Sequence, residues 1–338
     1  MFALRIAAGT LLLAGVLVSA SCDKAKLAVD AAREKFRGAA DPNAPAAPGG
    51  DVAPDLASQV DSGAEGVRFR RDLPFPMNLR VRLTDTRSVQ NARMSSTSAL
   101  GSESSSVTVD MESVSVLDRR GPVVGIAVER SGVVVPLVDG EKKQETKTPD
   151  QGTSGALPRI AFEQGPRGWR LVRNQGPMDF RTKLQEQAIL PRMDELLSAA
   201  GLAPRRQWFS ASRRWAAGDR LVLEGDSLQM IFPPRTKGKV TLVYEVAEPI
   251  NGHPCGRFSV SGEYSLKGEL RPTGEIIDRD ATIKSGKIWC SLLYPLVLRT
   301  EGELVLTESE GSDGGPKRKL QGSVKSVSAM NWDKVSEG

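Results

Sequence analysis

Histidine and cysteine are scarce in this 338-residue chain, which holds one histidine, His253, and three cysteines, Cys22, Cys255 and Cys290. That inventory excludes a histidine-rich metal site and a histidine-based triad with a spare base. His253 lies in Asn251-Gly252-His253-Pro254, which reads as a tight turn and predicts an exposed ring without a catalytic partner. No Cys-x-x-Cys spacing occurs, so a redox dithiol is not expected. A Gly-x-Ser-x-Gly elbow, a phosphate loop, His-Glu-x-x-His, a calcium loop and Asn-x-Ser/Thr are all missing. No metal and no cofactor is expected. Long apolar runs are missing too. Residues 6–18 are apolar or small throughout, short of the roughly 20 residues that span a bilayer.

What is present is ordinary for a folded protein, with 39% hydrophobic and 26% charged residues. The net charge of +5 is unevenly spread. Residues 22–66 carry five basic and eight acidic side chains, so the body from residue 67 onward holds about +7. A basic body suits anionic neighbours and keeps the chain soluble. The basic pairs are scattered and no aromatic-interleaved stripe accompanies them, so nucleic acid is not an expected partner.

The start of the chain has the order of an export signal, with Arg5, then the apolar run, then small residues. Two processing outcomes fit. Val18-Ser19-Ala20 suits ordinary signal peptidase, with cleavage before Ser21 and a free periplasmic or secreted product. Ser19-Ala20-Ser21-Cys22 resembles the lipobox of bacterial lipoproteins, with Ser19 where leucine is typical. That resemblance implies a diacylglycerol on the Cys22 thiol, cleavage just before it, and a membrane-anchored protein facing the periplasm or the exterior. Two or three acyl chains hold durably where one does not. Residues 24–37 have a helical stripe of Ala25, Val29, Ala32 and Phe36, and residues 38–66 are rich in Pro, Ala, Gly and Asp. As coil, residues 23–66 reach about 35–40 Å and form a flexible stalk.

From residue 67 the period becomes two. Leu79, Val81 and Leu83 alternate with polar residues, as do Val107, Val109 and Met111. Val114 and Val116 fall one residue out of phase, which predicts a bulge. A hairpin about Gly101 joins these runs. Strands at 123–129 and 133–138 follow, with Gly121-Pro122 and Ser131-Gly132 read as turns. Residues 141–155 read as a mobile loop and 168–172 as a strand. Residues 182–188 look helical, and a second helix starts near Pro191, buries Met193, Leu196, Leu197 and Ala200, and ends at Gly201. Further short strands are expected at 220–223, 227–232, 239–246, 255–264, 265–270, 275–283, 287–293, 296–307 and 319–329. Such spacing predicts a mainly β fold, an antiparallel sandwich or half-barrel, with one helical segment in mid-chain. The expected organisation is a signal at 1–21, a lipidated cysteine and stalk at 22–66, and a β-rich domain at 67–333. Its two halves, 67–178 and 205–333, are joined by the helical segment 179–201.

Three constellations remain. Cys255 and Cys290 lie in expected strands of one sheet and are expected to form a disulfide, worth about 4 kcal/mol for a loop of roughly 36 residues. Pairing them would leave Cys22 alone for lipid. Trp208, Phe209, Trp215, Phe232 and Trp289 either fill the core or line an apolar cavity. Glu301/Glu303 and Glu308/Glu310 are spaced to share a strand face, which keeps open an enzyme acting on envelope polysaccharide through paired carboxylates. The leading expectation is a non-catalytic, lipid-anchored envelope protein that binds a partner or hydrophobic ligand. The whole-chain order is similar to that of uncharacterised bacterial envelope lipoproteins. More loosely, it resembles the half-barrel lipoprotein carriers, a likeness that implies an apolar ligand beneath a helix.

Overall fold

A computed structural model of the chain describes residues 54–98, 101–137, 146–147, 160–166, 168–172, 190–270, 276–311 and 317–334. The signal segment, Cys22, the helical stripe at 24–37 and the stalk up to residue 53 lie outside them. So do the expected helix at 182–188 and most of the expected loop at 141–155.

Folded structure begins ahead of residue 67. A single helical turn, α1 (Pro54–Ala57), precedes β1 (Ser62–Gly63) and β2 (Gly66–Arg68). Three long strands follow, β3 (Asn78–Ser98), β4 (Gly101–Arg120) and β5 (Val123–Leu137). Short strands β6 (Thr146–Lys147), β7 (Ile160–Gly165) and β8 (Gly168–Val172) complete the first half. The middle holds a 3-10 turn at Leu190–Arg192 and helix α2 (Met193–Ala199). Then come β9 (Arg214–Trp215), β10 (Arg220–Glu224) and a 3-10 turn at Gly225–Met230. Five long strands close the order: β11 (Thr236–Ile250), β12 (His253–Leu270), β13 (Ile276–Ser291), β14 (Val297–Gly311) and β15 (Lys317–Lys334).

Twelve strands form one open antiparallel sheet in the order β10-β11-β12-β13-β14-β15-β3-β4-β5-β7-β8, with β6 on β5, and β1, β2 and β9 make a separate small sheet. The fold is therefore mainly β and antiparallel, and the open sheet takes the place of a two-sheet sandwich. Each half is a meander. The halves meet where β15 pairs with β3, from Lys334 opposite Leu79 to Lys317 opposite Thr97. Strands of up to 21 residues run about 70 Å, several times the common length.

The local signals explain many boundaries. The hairpin closes at Ser98 opposite Gly101, and the phase change of Val114 is a register shift between Val114 and Ser115. α2 follows Pro191 with Asp194 and Glu195 in its first turn. It buries Met193, Leu197 and Ala200 and stops at Gly201, whose φ of 74° suits a residue without Cβ.

Other expectations fail in an instructive way. Residues 123–129 and 133–137 are one strand, and Ser131-Gly132 is paired within it rather than a turn. Residues 255–270 and 276–291 are likewise single strands, β14 continues past Thr307, and 227–232 falls on the 3-10 turn. Two glycines in the long strands sit where backbones approach. A Cβ on Gly262 would lie 2.3 Å from the Lys239 carbonyl oxygen, and one on Gly238 would lie 2.3 Å from that of Glu263. Register shifts at Val260/Gly262, Ile283/Ser285, Gln321/Ser323 and Val89/Ala92 cross the sheet from β12 to β4. Bulges of this kind bend and twist the long strands.

The core lies on one face at one end of this sheet. Phe69, Phe209, Trp215, Tyr244 and Phe258 pack together there, with Phe209 and Phe258 stacked at 5.1 Å and Trp215 edge-on to Phe258 at 5.2 Å. Gly256 leaves room for the Phe69 ring, which would stand 2.4 Å from a Cβ. Arg119 crosses under α2 and donates to the carbonyls of Leu202 and Gly121 at 2.6 and 3.0 Å. Its burial pulls its pKa down.

Candidate functional site

Directly opposed residues in an antiparallel sheet share a face, so register decides which side chains meet. On the core face one row runs Phe258, Ile288, Thr300, Ser328, Asp85 from β12 to β3. The next row toward the hairpin tips is Val260, Gly286, Gly302, Ser326, Arg87. A third begins at Ile283 and continues Leu304, Val324, Val89. The middle row has two paired glycines and a serine where its neighbours carry bulk. It is a trough across the sheet.

The trough is closed at one end by Ile231 and Phe232, which follow the 3-10 turn, and Phe232 packs on Tyr264 at 4.5 Å. Val260, Ile283 and Leu304 wall it around an apolar hollow of about 50 Å³. That holds roughly three or four water-sized groups. The floor is close-packed backbone. A Cβ on Gly302 would meet the Ser285 carbonyl oxygen at 2.7 Å, while one on Gly286 would meet Ile283 and Val260 at 3.2–3.3 Å.

Toward β3, beyond the hollow, the rows become polar. Ser326, Arg87, Asp85 and Ser328 follow one another in the two adjoining rows. The Ser328 hydroxyl is buried and has no hydrogen-bond partner among the described residues. Beyond the trough, Arg279 and Glu308 face each other as a buried pair, with Arg279 Nε and Nη2 donating to one Glu308 oxygen at 3.1 and 3.0 Å.

The opposite face carries a separate polar hollow of about 290 Å³ lined by Ser88, Gln90, Glu303, Ser323 and Lys325. Ser323 donates to Glu303 at 3.3 Å, and Lys325 stands 3.9 Å from the same carboxylate. Glu301 accepts from Arg299 at 3.1 Å. The structure therefore gives Glu301, Glu303 and Glu308 cationic or hydroxyl partners. The side chain of Glu310 lies outside the described residues.

Of the five aromatic candidates, Trp208, Phe209 and Trp215 are packed in the core and Trp289 is buried with its indole donating to Glu248 at 3.0 Å. Phe232 alone borders the trough. Burial lifts the Tyr244 phenol in the same cluster to about 12.

His253 is not an exposed turn residue. It opens β12, is 4% exposed, and its Nε2 lies 2.7 Å from Ser291 Oγ. That oxygen accepts from the backbone N–H groups of Leu293 and Tyr294 at 3.1 and 3.0 Å, so its proton is directed to the imidazole. The pair locks the turn after β13 between Tyr294 and Trp332 and has no open face for a substrate.

Cys255 and Cys290 are both buried free thiols. Cys255 is opposed to Ser291 and Cys290 to Gly256, one step apart on neighbouring strands. Strand alternation therefore sends the two sulfurs to opposite faces, and the expected disulfide is not formed. Burial, reinforced for Cys255 by neighbouring Cys290, pushes both thiols well above their ordinary range. The cysteine argument for Cys22 loses that support. Cys22 itself lies outside the described residues. Among the described residues no cluster of three or more His, Cys, Asp or Glu is placed to hold a metal ion, and no helix is long and apolar enough to cross a membrane.

The trough left a faint trace in sequence. Gly286 and Gly302 interrupt alternating runs without a proline or asparagine beside them, which marks close backbone approach better than it marks a turn.

No family model matches the chain, and no curated protein matches it. Among solved structures it is similar to one described for lipid–protein interactions in lipovitellin, at 8% identity and a TM-score of 0.33, covering 78% of this chain and 26% of that one. A putative outer membrane lipoprotein-sorting protein domain from Vibrio parahaemolyticus matches at 8% identity and a TM-score of 0.13, covering 75% and 87%. A DUF1329 family protein from Desulfovibrio piger matches at 10% identity and 0.14, with the same coverage. The chain spans about a quarter of the lipovitellin chain. At these scores the backbones do not superpose as one fold, so the site stands on its own geometry.

Proposed function

We propose that this is a membrane-anchored envelope protein that holds a hydrophobic ligand against the core face of its open sheet, without catalysing a reaction on it. The observation that carries the reading is the trough floored by Gly286 and Gly302. An apolar hollow in mid-sheet, with polar residues in the same rows toward β3, offers a seat for an apolar group of a ligand. Anchoring through lipid on Cys22, with residues 23–53 as a tether, is the matching proposal for where the domain works. A polysaccharide-cleaving enzyme is less well supported, because Glu301, Glu303 and Glu308 each have a partner that stabilises a fixed carboxylate.

Native mass spectrometry of protein extracted in mild conditions tests the ligand. A bound lipid mass that survives gentle ionisation is expected. A bare chain in every preparation, with no uptake of added lipid, would overturn the proposal. Intact mass of the mature protein tests the anchor. A product that begins at Ser21 without acyl mass would make it a free periplasmic or secreted protein.

A further inference from the structure

We infer that Asn251-Gly252 is a self-modification site. In the folded protein the Asn251 side chain closes on the Gly252 nitrogen, loses ammonia, and is opened by water to aspartate and isoaspartate. The inference goes beyond ligand binding and stands whether or not a ligand is held.

The chain has six asparagines, and only Asn251 is followed by glycine. Asn43 and Asn91 precede alanine, Asn78 leucine, Asn174 glutamine and Asn331 tryptophan. A following residue without Cβ leaves its nitrogen open to approach and its backbone free to turn. The fold widens the difference. Asn78 and Asn331 are paired within β3 and β15, opposite Arg120 and Arg82, and Asn91 also lies within β3. Asn251 and Gly252 instead form the two-residue loop between Ile250 and His253, which are paired. Their φ angles are 50° and 74°, both positive as a type I′ turn requires. Asn251 is exposed, and the Gly252 N–H makes no hydrogen bond to a described residue. The Asn251 carboxamide donates from Nδ2 to Asn331 Oδ1 at 3.3 Å, a long bond in reach of water that adds little restraint. Opening of this tip is local and leaves the ladder behind it intact.

The step balances with water as the co-reactant. The Gly252 nitrogen gives up its proton and bonds to Asn251 Cγ. The Cγ–Nδ2 bond breaks and ammonia leaves, so a five-membered imide remains. Water then adds to one of the two imide carbonyls. Cleavage at Cγ restores the ordinary chain with aspartate. Cleavage at the Asn251 backbone carbonyl leaves the chain running through Cβ and Cγ, as isoaspartate, with one more backbone atom. A two-residue turn lengthened in this way no longer holds Ile250 opposite His253. His253 follows directly, bonded to Ser291 at 2.7 Å and edge-on to Trp332, so the isoaspartyl product loosens that buried contact and the aspartyl product spares it.

Ageing the native full-length protein in mild detergent and mildly alkaline buffer tests this, with peptide mass spectrometry and labelling by isoaspartyl methyltransferase as readouts. The peptide holding residues 251–252 is expected to gain the mass of amide-to-acid conversion about tenfold faster than any other asparagine peptide, a barrier lower by about 1.4 kcal/mol. It should also carry methyl label. Asn251→Gly keeps the positive φ and has no side chain to close, so both signals should vanish from that peptide. After separation by ion exchange and peptide typing, the isoaspartyl fraction should unfold at lower urea than the aspartyl fraction. An aged native protein unchanged at residue 251, or converted there no faster than at its other asparagines, overturns the inference. An isoaspartyl fraction as stable as the fresh protein overturns its consequence for His253.

Discussion

The buried pair of Arg279 and Glu308 offers a sharp energetic test of the long-sheet architecture. Their side chains are 3% and 9% exposed, and Arg279 Nε and Nη2 donate to the same carboxylate oxygen. They sit on the core face between Leu266 and Leu320, opposed to each other across β13 and β14. Arg279→Met would leave Glu308 as a buried carboxylate without its cation, and truncating one partner of such a pair costs about 3–5 kcal/mol. Arg279→Met combined with Glu308→Leu removes both charges and keeps the volume, so the double variant should return to within about 1 kcal/mol of wild type, or exceed it. Lys267–Asp280, between β12 and β13, is a built-in control. At 53% and 57% exposure it is screened by solvent, so Lys267→Ala should change stability by less than about 1 kcal/mol. Urea unfolding of these four proteins, followed by tryptophan fluorescence, gives the comparison, and adding Glu308→Leu alone completes the cycle. If Arg279→Met costs no more than Lys267→Ala, or the double variant is as damaged as the single one, this part of the sheet is not shielded from water and the reasoning fails.

Three further outcomes follow from other sites. Gly302→Val should destabilise the protein by roughly 2–3 kcal/mol, since its Cβ would lie 2.7 Å from a backbone oxygen that cannot swing away, and a thermal melt unchanged from wild type would refute the glycine floor. Thiol titration of the native protein should find Cys255 and Cys290 unreactive, while denatured chains should show both without added reductant. A Cys255–Cys290 disulfide peptide in a non-reducing digest would refute the opposite-face geometry. Tyr244 has a folded pKa raised to about 12 from an ordinary 10, so its contribution is complete below pH 10 and is lost as pH rises toward 12. Tyr244→Phe should therefore flatten the fall in stability over that window, and an unchanged alkaline profile would contradict the burial.

The fold class was legible because alternation, turns and caps are local. Leu79, Val81 and Leu83 announce a strand by themselves, and Pro191 followed by Asp194 and Glu195 announces a helix start. Strand length was not legible. Ser131-Gly132 and the segment around Gly286 look like turns until the neighbouring strand shows that the chain passes straight through. The pairing of β15 with β3 joins residues more than two hundred positions apart, and no periodicity within either strand encodes it. His253 misled for the same reason. Its local turn was real, but the groups that bury it, Ser291, Tyr294 and Trp332, arrive from distant strands. The trough was hidden further, since Gly286 and Gly302 matter only once they stand opposite each other. Of the five aromatics, four fill the core, one of the two outcomes the sequence left open, and Phe232 borders the trough.

The β15–β3 seam also sets the order of events during biogenesis. β15 is the last described strand along the chain yet lies in the middle of the sheet, with β14 on one side and β3 on the other. Until it leaves the ribosome, no strand pairing of the main sheet joins the two meanders. Each waits with a long exposed edge, β3 in one and β14 in the other, and such edges invite pairing with other chains. Closing the seam requires contacts of very large sequence separation, which slows folding. A chain built this way needs to be kept from its neighbours for as long as its final strand is missing.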